Sequence, residues 1–382
     1  VYPIKALRGI RLEEAHLGAQ GITHDRRFVV CHVGDDGTLT KMQLAAYPQC
    51  SLFEQTFVSG SGGEASAEGA EFVRVRYVTP EEPLVEARPE HDQALDVPLR
   101  LDPSTLERAE LNLHQSMVRA YRVGPAYDAW FSACFGFPTT LLYIGDERRP
   151  VLGTFSARNT RLAAQKSQSQ AQTTGWLASL SSYMAGGNKD DGRGKENDQD
   201  EPDWLTFSDV APFLVATEAS LRNVSQRLTD GKPMDMYKFR PNIVIDGDEA
   251  WDEDYWGELA LLGEHDGDAE PIPILSFSKM CIRCASLNVD YDTGRMGQGD
   301  RGAVLKKLMA DRRVDEGFRW SPVFGHYAFL SDGLATAGVD LAVGDDVGIT
   351  NRTAERPSFD WPIKDPSAAR FYRRADEAGV AN

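Results

Sequence analysis

No run of about 18 consecutive apolar residues occurs in the 382-residue chain, so no stretch of it is built to cross a bilayer as a helix. Cysteine is scarce. There are five, an odd number, which argues against a disulfide framework and for a reducing compartment. Basic residues are in deficit: 41 Lys and Arg face 58 Asp and Glu, for a net charge of −17. Such a surface repels a phosphate backbone, so nucleic acid is disfavoured as a partner, whereas a basic patch on a protein is not. The Gly-x-Ser-x-Gly elbow, the His-Glu-x-x-His zinc motif and the Walker loop are all missing. No His pair has metal spacing, and Cys31, Cys50 and Cys134 stand alone. The chain begins at Val1, a beginning compatible with removal of a start residue, targeting segment or anchor upstream.

What is present is a 41% hydrophobic composition, that of a globular protein, and enough length for one large or two ordinary domains. The densest chemistry lies in Cys281-Ile282-Arg283-Cys284, which follows an apolar run from Ile272 to Phe277 and precedes a turn at Asp292-Thr293-Gly294. A thiol pair therefore sits near a strand end beside a fixed cation, and a cation favours the thiolate that attacks electrophiles or binds soft metals. Three readings stay open on these residues: a buried structural pair, half of a zinc site, or one reactive or metal-binding thiolate.

Along the chain, Lys5 and Arg8 form a polar corner between two short apolar runs, and Asp25 precedes Arg26 and Arg27, as in an arginine held by a carboxylate. Residues 35 to 120 read as β-structure, with period-two alternation from Val73 to Tyr77. Helical spacing at Tyr127, Trp130, Phe131 and Cys134 predicts a helix with a buried aromatic face, followed by a strand from Thr139 to Ile144. Residues 186 to 203 are almost wholly polar and are expected to be a disordered insertion. Thr217 is positioned to cap a helix whose Leu221, Val224 and Leu228 share a face. Arg240 and Asn242 precede a strand at Ile243. A short amphipathic helix at Val304 to Met309 is expected to present Lys306, Lys307, Arg312 and Arg313 to solvent.

Five of these segments, in this order, resemble the two-part MOSC proteins: Tyr2-Pro3-Ile4-Lys5; Asp25-Arg26-Arg27-Phe28; Thr217-Glu218-Ala219-Ser220-Leu221; Phe239-Arg240-Pro241-Asn242; and Cys281-x-Arg283-Cys284 with Asp290-x-Asp292-Thr293-Gly294. Within that family the pattern is similar to the mitochondrial amidoxime-reducing component and its fungal relatives. The resemblance implies an α+β, β-rich fold: an N-terminal MOSC β-barrel domain over residues 1 to 145, a connecting segment over 146 to 203, a MOSC β-barrel domain with flanking helices over 204 to 350, and a charged tail over 351 to 382. It implies a molybdenum cofactor (Mo-molybdopterin) with Cys284 as metal ligand and catalytic residue. Lys5, Arg26, Arg240 and Asn242 would bind the pterin phosphate, and Arg283 and Asp209 would also belong to the cofactor site. The implied activity is reduction of N-hydroxylated compounds, amidoximes and hydroxylamines, with electrons from a b-type cytochrome and an NADH-dependent flavin reductase. The implied location is cytoplasmic, or the cytosolic face of the mitochondrial outer membrane if an anchor has been removed. The chain departs from the family pattern at Ala6, Val210, Ala211 and Ile282, where small hydroxyl or other small residues are common. Two rival functions are a sulfur carrier like the MOSC end of molybdenum-cofactor sulfurases, for whose pyridoxal-phosphate domain the chain has no room, and a cofactor carrier without turnover.

Overall fold

A computed structural model describes residues 1–114, 116–162, 202–262, 270–334 and 336–360. The polar insertion, apart from residues 202 and 203, and the tail beyond residue 360 with Trp361 lie outside the described residues.

In the N-terminal half, β-branched Phe28–Val33 is the central strand. It takes Ile4–Lys5 in parallel on one side and Thr139–Tyr143 antiparallel on the other, and the sheet continues through Ser116–Arg122 to Glu107–Leu113. A second sheet runs Phe53–Val58, Phe72–Tyr77, Leu95–Pro98. Helix Pro125–Phe135 closes the layer between them, with proline at its start and Gly136 at φ +80° at its end. A Cβ on Gly136 would come within 2.5 Å of Val85, so both the dihedral and the close approach require glycine there. The expected aromatic face is core: Phe53 stacks on Phe135 at 4.5 Å and meets Phe131 and Trp130, and Cys134 is buried beside them.

The second half is a six-stranded sheet in the order Ile243–Ile245, Phe213–Thr217, Val323–Leu330, Ile272–Ile282, Trp256–Leu261, Val347–Arg352. Thr217 caps helix Glu218–Ser225 by accepting from the Ser220 amide at 3.1 Å. Two short sheets stitch the halves together. Val339–Ala342 pairs with Glu14–Gly18, and Arg149–Pro150 pairs with Trp204–Leu205. The fold is α+β and β-rich, as the sequence predicts.

Two expectations are corrected. Arg312 is not on a solvated face. It is 3% exposed, and its guanidinium grips the buried Asp254 carboxylate at 2.8 and 2.9 Å while lying over Trp251. Helix Val304–Leu308 is too short to set a polar face that far along, so the loop after it carries Arg312 inward. Residues 353 to 360 are not a loose charged tail either: Arg356 donates to the same Asp254, and the Phe359 amide donates to Asp315.

Candidate functional site

The site begins with register. Ile4 lies opposite Phe28 in a parallel pair, so the Arg26 amide reaches the Tyr2 carbonyl at 2.9 Å and the two short motifs become neighbours. Asp25, 2% exposed, accepts from the Tyr2 amide at 2.8 Å and holds the Arg26 guanidinium. Arg240 comes from the other half of the chain, and its Nη1 donates to the Leu7 carbonyl at 2.8 Å. Both guanidiniums lie over the Tyr2 ring, Arg26 at 4.4 Å and Arg240 at 4.2 Å, a cation–π arrangement worth roughly 0.5–2 kcal/mol for each. Burial pushes the Tyr2 phenol up to about 12, and the phenol donates to the Pro241 carbonyl. Asn242 joins the halves through its Oδ1, which accepts from Arg26 at 3.0 Å and from the Leu214 amide at 3.2 Å. Its Nδ2 is buried with no partner among the described residues.

Lys5 is 8% exposed. Its ammonium donates to the Phe207 carbonyl at 2.8 Å and to Asp209, which also accepts from His114 at 3.0 Å. Burial lowers the Lys5 pKa to about 8 although Asp209 pulls it up. Burial would raise Asp209, but Lys5 and His114 outweigh it and hold that carboxyl well below the usual range.

Four non-glycine residues here adopt left-handed backbone: Ala6 at φ +72°, Arg26 at +47°, His114 at +53° and Arg240 at +58°. Each costs roughly 1–2 kcal/mol relative to ordinary backbone. Strain concentrated at one point of a fold marks a place where geometry is kept for a purpose other than stability.

The two cysteines point different ways. Strand Ile272–Ile282 ends between them. Cys281 is buried, accepts from Arg283 Nη1 at 2.9 Å and donates to the Tyr327 hydroxyl at 3.1 Å. Burial pushes its thiol up despite Arg283. Cys284 is the only exposed cysteine of the five, with Ser286 Oγ 3.2 Å from its sulfur. Among the described residues no group of three or more His, Cys, Asp and Glu stands where it could complete a zinc site with them. Arg283 is 6% exposed and faces inward, with Nη2 donating to the Phe239 carbonyl at 2.9 Å. It ties the Cys284 loop to the Phe239-Arg240 segment instead of lining the surface. Asp209 acts electrostatically on Lys5, Arg26, Cys281 and Tyr327 alike, so the cation cluster and the cysteine loop are one neighbourhood.

Residues 1–138 match the MOSC N-terminal beta barrel domain and residues 202–348 match the MOSC domain. The chain is a MOSC-domain protein. It is 37% identical over 149 residues to human "Mitochondrial amidoxime-reducing component 1", a stretch covering 38% of this chain and 39% of the human one. It is 37% identical over 144 residues to the rat "Mitochondrial amidoxime reducing component 2", covering 37% and 38%. It is 35% identical over 134 residues to the mouse component 1, covering 34% and 35%. The matched stretches thus span less than two fifths of these relatives' lengths.

In this MOSC protein the structure brings Lys5, Arg26, Arg240, Asn242 and Asp209 into one cluster, and Arg283 ties the loop that carries the exposed Cys284 to the adjoining Phe239-Arg240 segment. Arg149 is the member that sequence reasoning missed. It is fully buried, and its guanidinium donates to the carbonyls of Thr206, Ser208 and Asp209, the last at 2.7 Å. It holds the loop that presents Asp209 to Lys5, and burial lowers its pKa to about 10. In the sequence it is one of two adjacent arginines before a proline, with no pattern to set it apart. Tyr327, which touches Cys281, was likewise invisible as anything but a strand residue.

These residues fit a phosphate-bearing cofactor with a soft metal. The cluster offers three cations and, at Asn242, a buried amide donor with no partner among the described residues, and the exposed thiol of Cys284 is a soft ligand. An anion arriving at Lys5 competes with Asp209 for the ammonium.

Proposed function

We propose that this MOSC protein is a molybdenum-cofactor oxidoreductase that reduces N-hydroxylated compounds such as amidoximes and hydroxylamines, with Cys284 as the protein ligand to the metal. The observation that carries the reading is Cys284: the one exposed thiol, on a loop that Arg283 ties to the Phe239-Arg240 segment. Among the described residues, no group of three or more His, Cys, Asp and Glu could hold a metal. A metal at Cys284 would take its other donors from the cofactor, as from a pterin dithiolene.

Lys5, Arg26 and Arg240 would hold the pterin phosphate, with the Asn242 amide as a further donor. Asp25 fixes Arg26, and the Tyr2 ring packs against both guanidiniums, so the anion would meet preformed charge. Arg283 would act from behind, fixing the loop that carries Cys284. When bound, the cofactor supplies a two-electron redox centre. Converting N–OH to N–H and water consumes two electrons and two protons, and the electrons would come from a b-type cytochrome fed by an NADH-dependent flavin reductase. Among the described residues no helix is long and apolar enough to cross a membrane.

The test is metal analysis of the chain and of Cys284→Ala, both made in a host that synthesises molybdopterin. Near-stoichiometric molybdenum and pterin in the parent, loss or alteration of the metal site in the variant, and reduction of benzamidoxime with a competent donor are expected. A parent free of molybdenum and pterin would overturn the cofactor reading. Bound cofactor with no reduction of any N-hydroxylated compound would leave a carrier.

A further inference from the structure

Among the described residues, the six-stranded sheet of the second half does not close. Its end strands, Ile243–Ile245 and Val347–Arg352, each have one neighbour in the sheet, and both line the same wide groove, which the segment from Gly9 to Ala15 borders on the N-terminal side. Three of the large hydrophobic side chains that stand exposed lie here: Tyr237 at 47%, Val244 at 44% and Val343 at 73%. Val244 is the middle residue of the unpaired edge.

The charge lining the groove is one-sided. Ten carboxylates line it against two guanidiniums, and one of those, Arg352, is already held by Asp252 at 2.7 and 2.8 Å. Asp246, Asp248 and Glu249 follow the edge strand directly, and their carboxylates make no hydrogen bond or ion pair among the described residues. Asp346, across the groove, is in the same state. Like charges gathered without counter-charges repel one another, and a docked cation relieves that repulsion. A free strand edge offers backbone donors and acceptors to an added strand, and natural proteins usually blunt such edges with lysine or proline rather than with exposed valine.

We propose that this groove is a docking site for an extended, cationic segment of a partner protein, one that alternates basic and apolar residues. Its backbone adds along Ile243–Ile245, its apolar side chains cover Val244 and Val343, and its basic side chains meet Asp246, Asp248, Glu249 and Asp346. Alternation gives an added strand one apolar face, which can lie over Val244, and one basic face whose long side chains can reach Asp246, Asp248 and Glu249 in the loop beyond the strand's end. The proposal is independent of the cofactor reading, since none of these residues belongs to the Lys5 and Cys284 cluster.

The test uses the purified full chain and a short fluorescein-labelled peptide of alternating lysine and valine, read by anisotropy at low and physiological salt. The expected result is saturable binding that persists at physiological salt and weakens at least about tenfold in Asp246→Lys/Asp248→Lys/Glu249→Lys, since charge contacts of this kind carry that much. A lysine–serine peptide should bind at least about tenfold more weakly than lysine–valine, the share owed to apolar contact. Circular dichroism establishes that the triple variant is folded, and Val244→Glu, an exposed single change, serves as a second variant expected to weaken the apolar contact. No binding of the lysine–valine peptide overturns the proposal. So does equal binding by the folded variants, or by the lysine–serine peptide, which would mark diffuse attraction of a polycation to an acidic protein.

Discussion

Lys5 should make cofactor binding and stability respond to pH in opposite directions. Its pKa is lowered by burial from 10.5 to about 8. Between those values the unfolded chain holds a proton on this lysine that the folded chain has lost, so stability rises with pH across that window. The penalty for the buried charge is full below about pH 8 and is gone near the unfolded value. From the shift it amounts to about 3 kcal/mol at 1.36 kcal/mol per unit. Anion binding runs the other way. The ammonium is about nine-tenths charged at pH 7 and about one-tenth at pH 9, so affinity for a phosphate-bearing ligand should fall about tenfold over that interval. The assays are urea denaturation of the parent and Lys5→Met at both pH values, and retention of pterin by the loaded protein dialysed at each. The parent should gain stability relative to Lys5→Met as pH rises while losing pterin, and Lys5→Arg, charged throughout, should keep pterin at pH 9. Flat pterin retention in the parent, or an equal fall in Lys5→Arg, refutes the role given to this lysine.

Thiol accessibility gives a simpler check: an aromatic disulfide reagent should label one thiol per native chain quickly, and none in Cys284→Ala, because the other four cysteines are buried. Rapid labelling of a second thiol would mean the loop after strand Ile272–Ile282 is not as described. Arg312→Ala should cost about 3–5 kcal/mol by chemical denaturation, because Asp254 is left buried with only the partly exposed Arg356. A loss under about 1 kcal/mol, the scale of a surface pair, would contradict the burial. Arg149→Met should lower the denaturation midpoint by an amount equivalent to about 2–4 kcal/mol, since it strips donors from three carbonyls. Unchanged stability would refute the clamp. Ala6→Gly should stabilise the chain by about 1 kcal/mol by relieving a φ of +72°, and a destabilised variant would show that Ala6 is not strained.

What could be read in the sequence was chemistry that acts over a few residues. Thr217 caps because a hydroxyl three residues before an amide can reach it, and the Tyr127 to Phe135 stripe is a helix because its spacing repeats with the turn. Asp25 beside Arg26 is an ion pair that adjacency alone predicts. Turn chemistry was nearly right: Asp290 rather than Asp292 accepts from the two amides ahead of Gly294. The failures share a cause. Spacing assigns Arg312 to solvent, sets Arg283 beside two thiols and says nothing of Arg149, yet each is turned inward by a partner supplied from far along the chain. Asp254 is 58 residues from Arg312, the Phe239 carbonyl 44 from Arg283, and the Asp209 carbonyl 60 from Arg149. A guanidinium can be buried when its donors meet fixed acceptors, and only the fold says whether they do. The left-handed turns at Ala6, Arg26 and Arg240 leave no trace in residue type, since glycine is the residue that would announce them. That silence is informative in itself. Glycine at positions 26 and 240 would relax the backbone but remove the two guanidiniums over Tyr2. Arginine at both positions instead sets the strain of a left-handed backbone against the contacts its guanidinium makes, with Asp25 and Asn242 for Arg26, the Leu7 carbonyl for Arg240, and the Tyr2 ring for both.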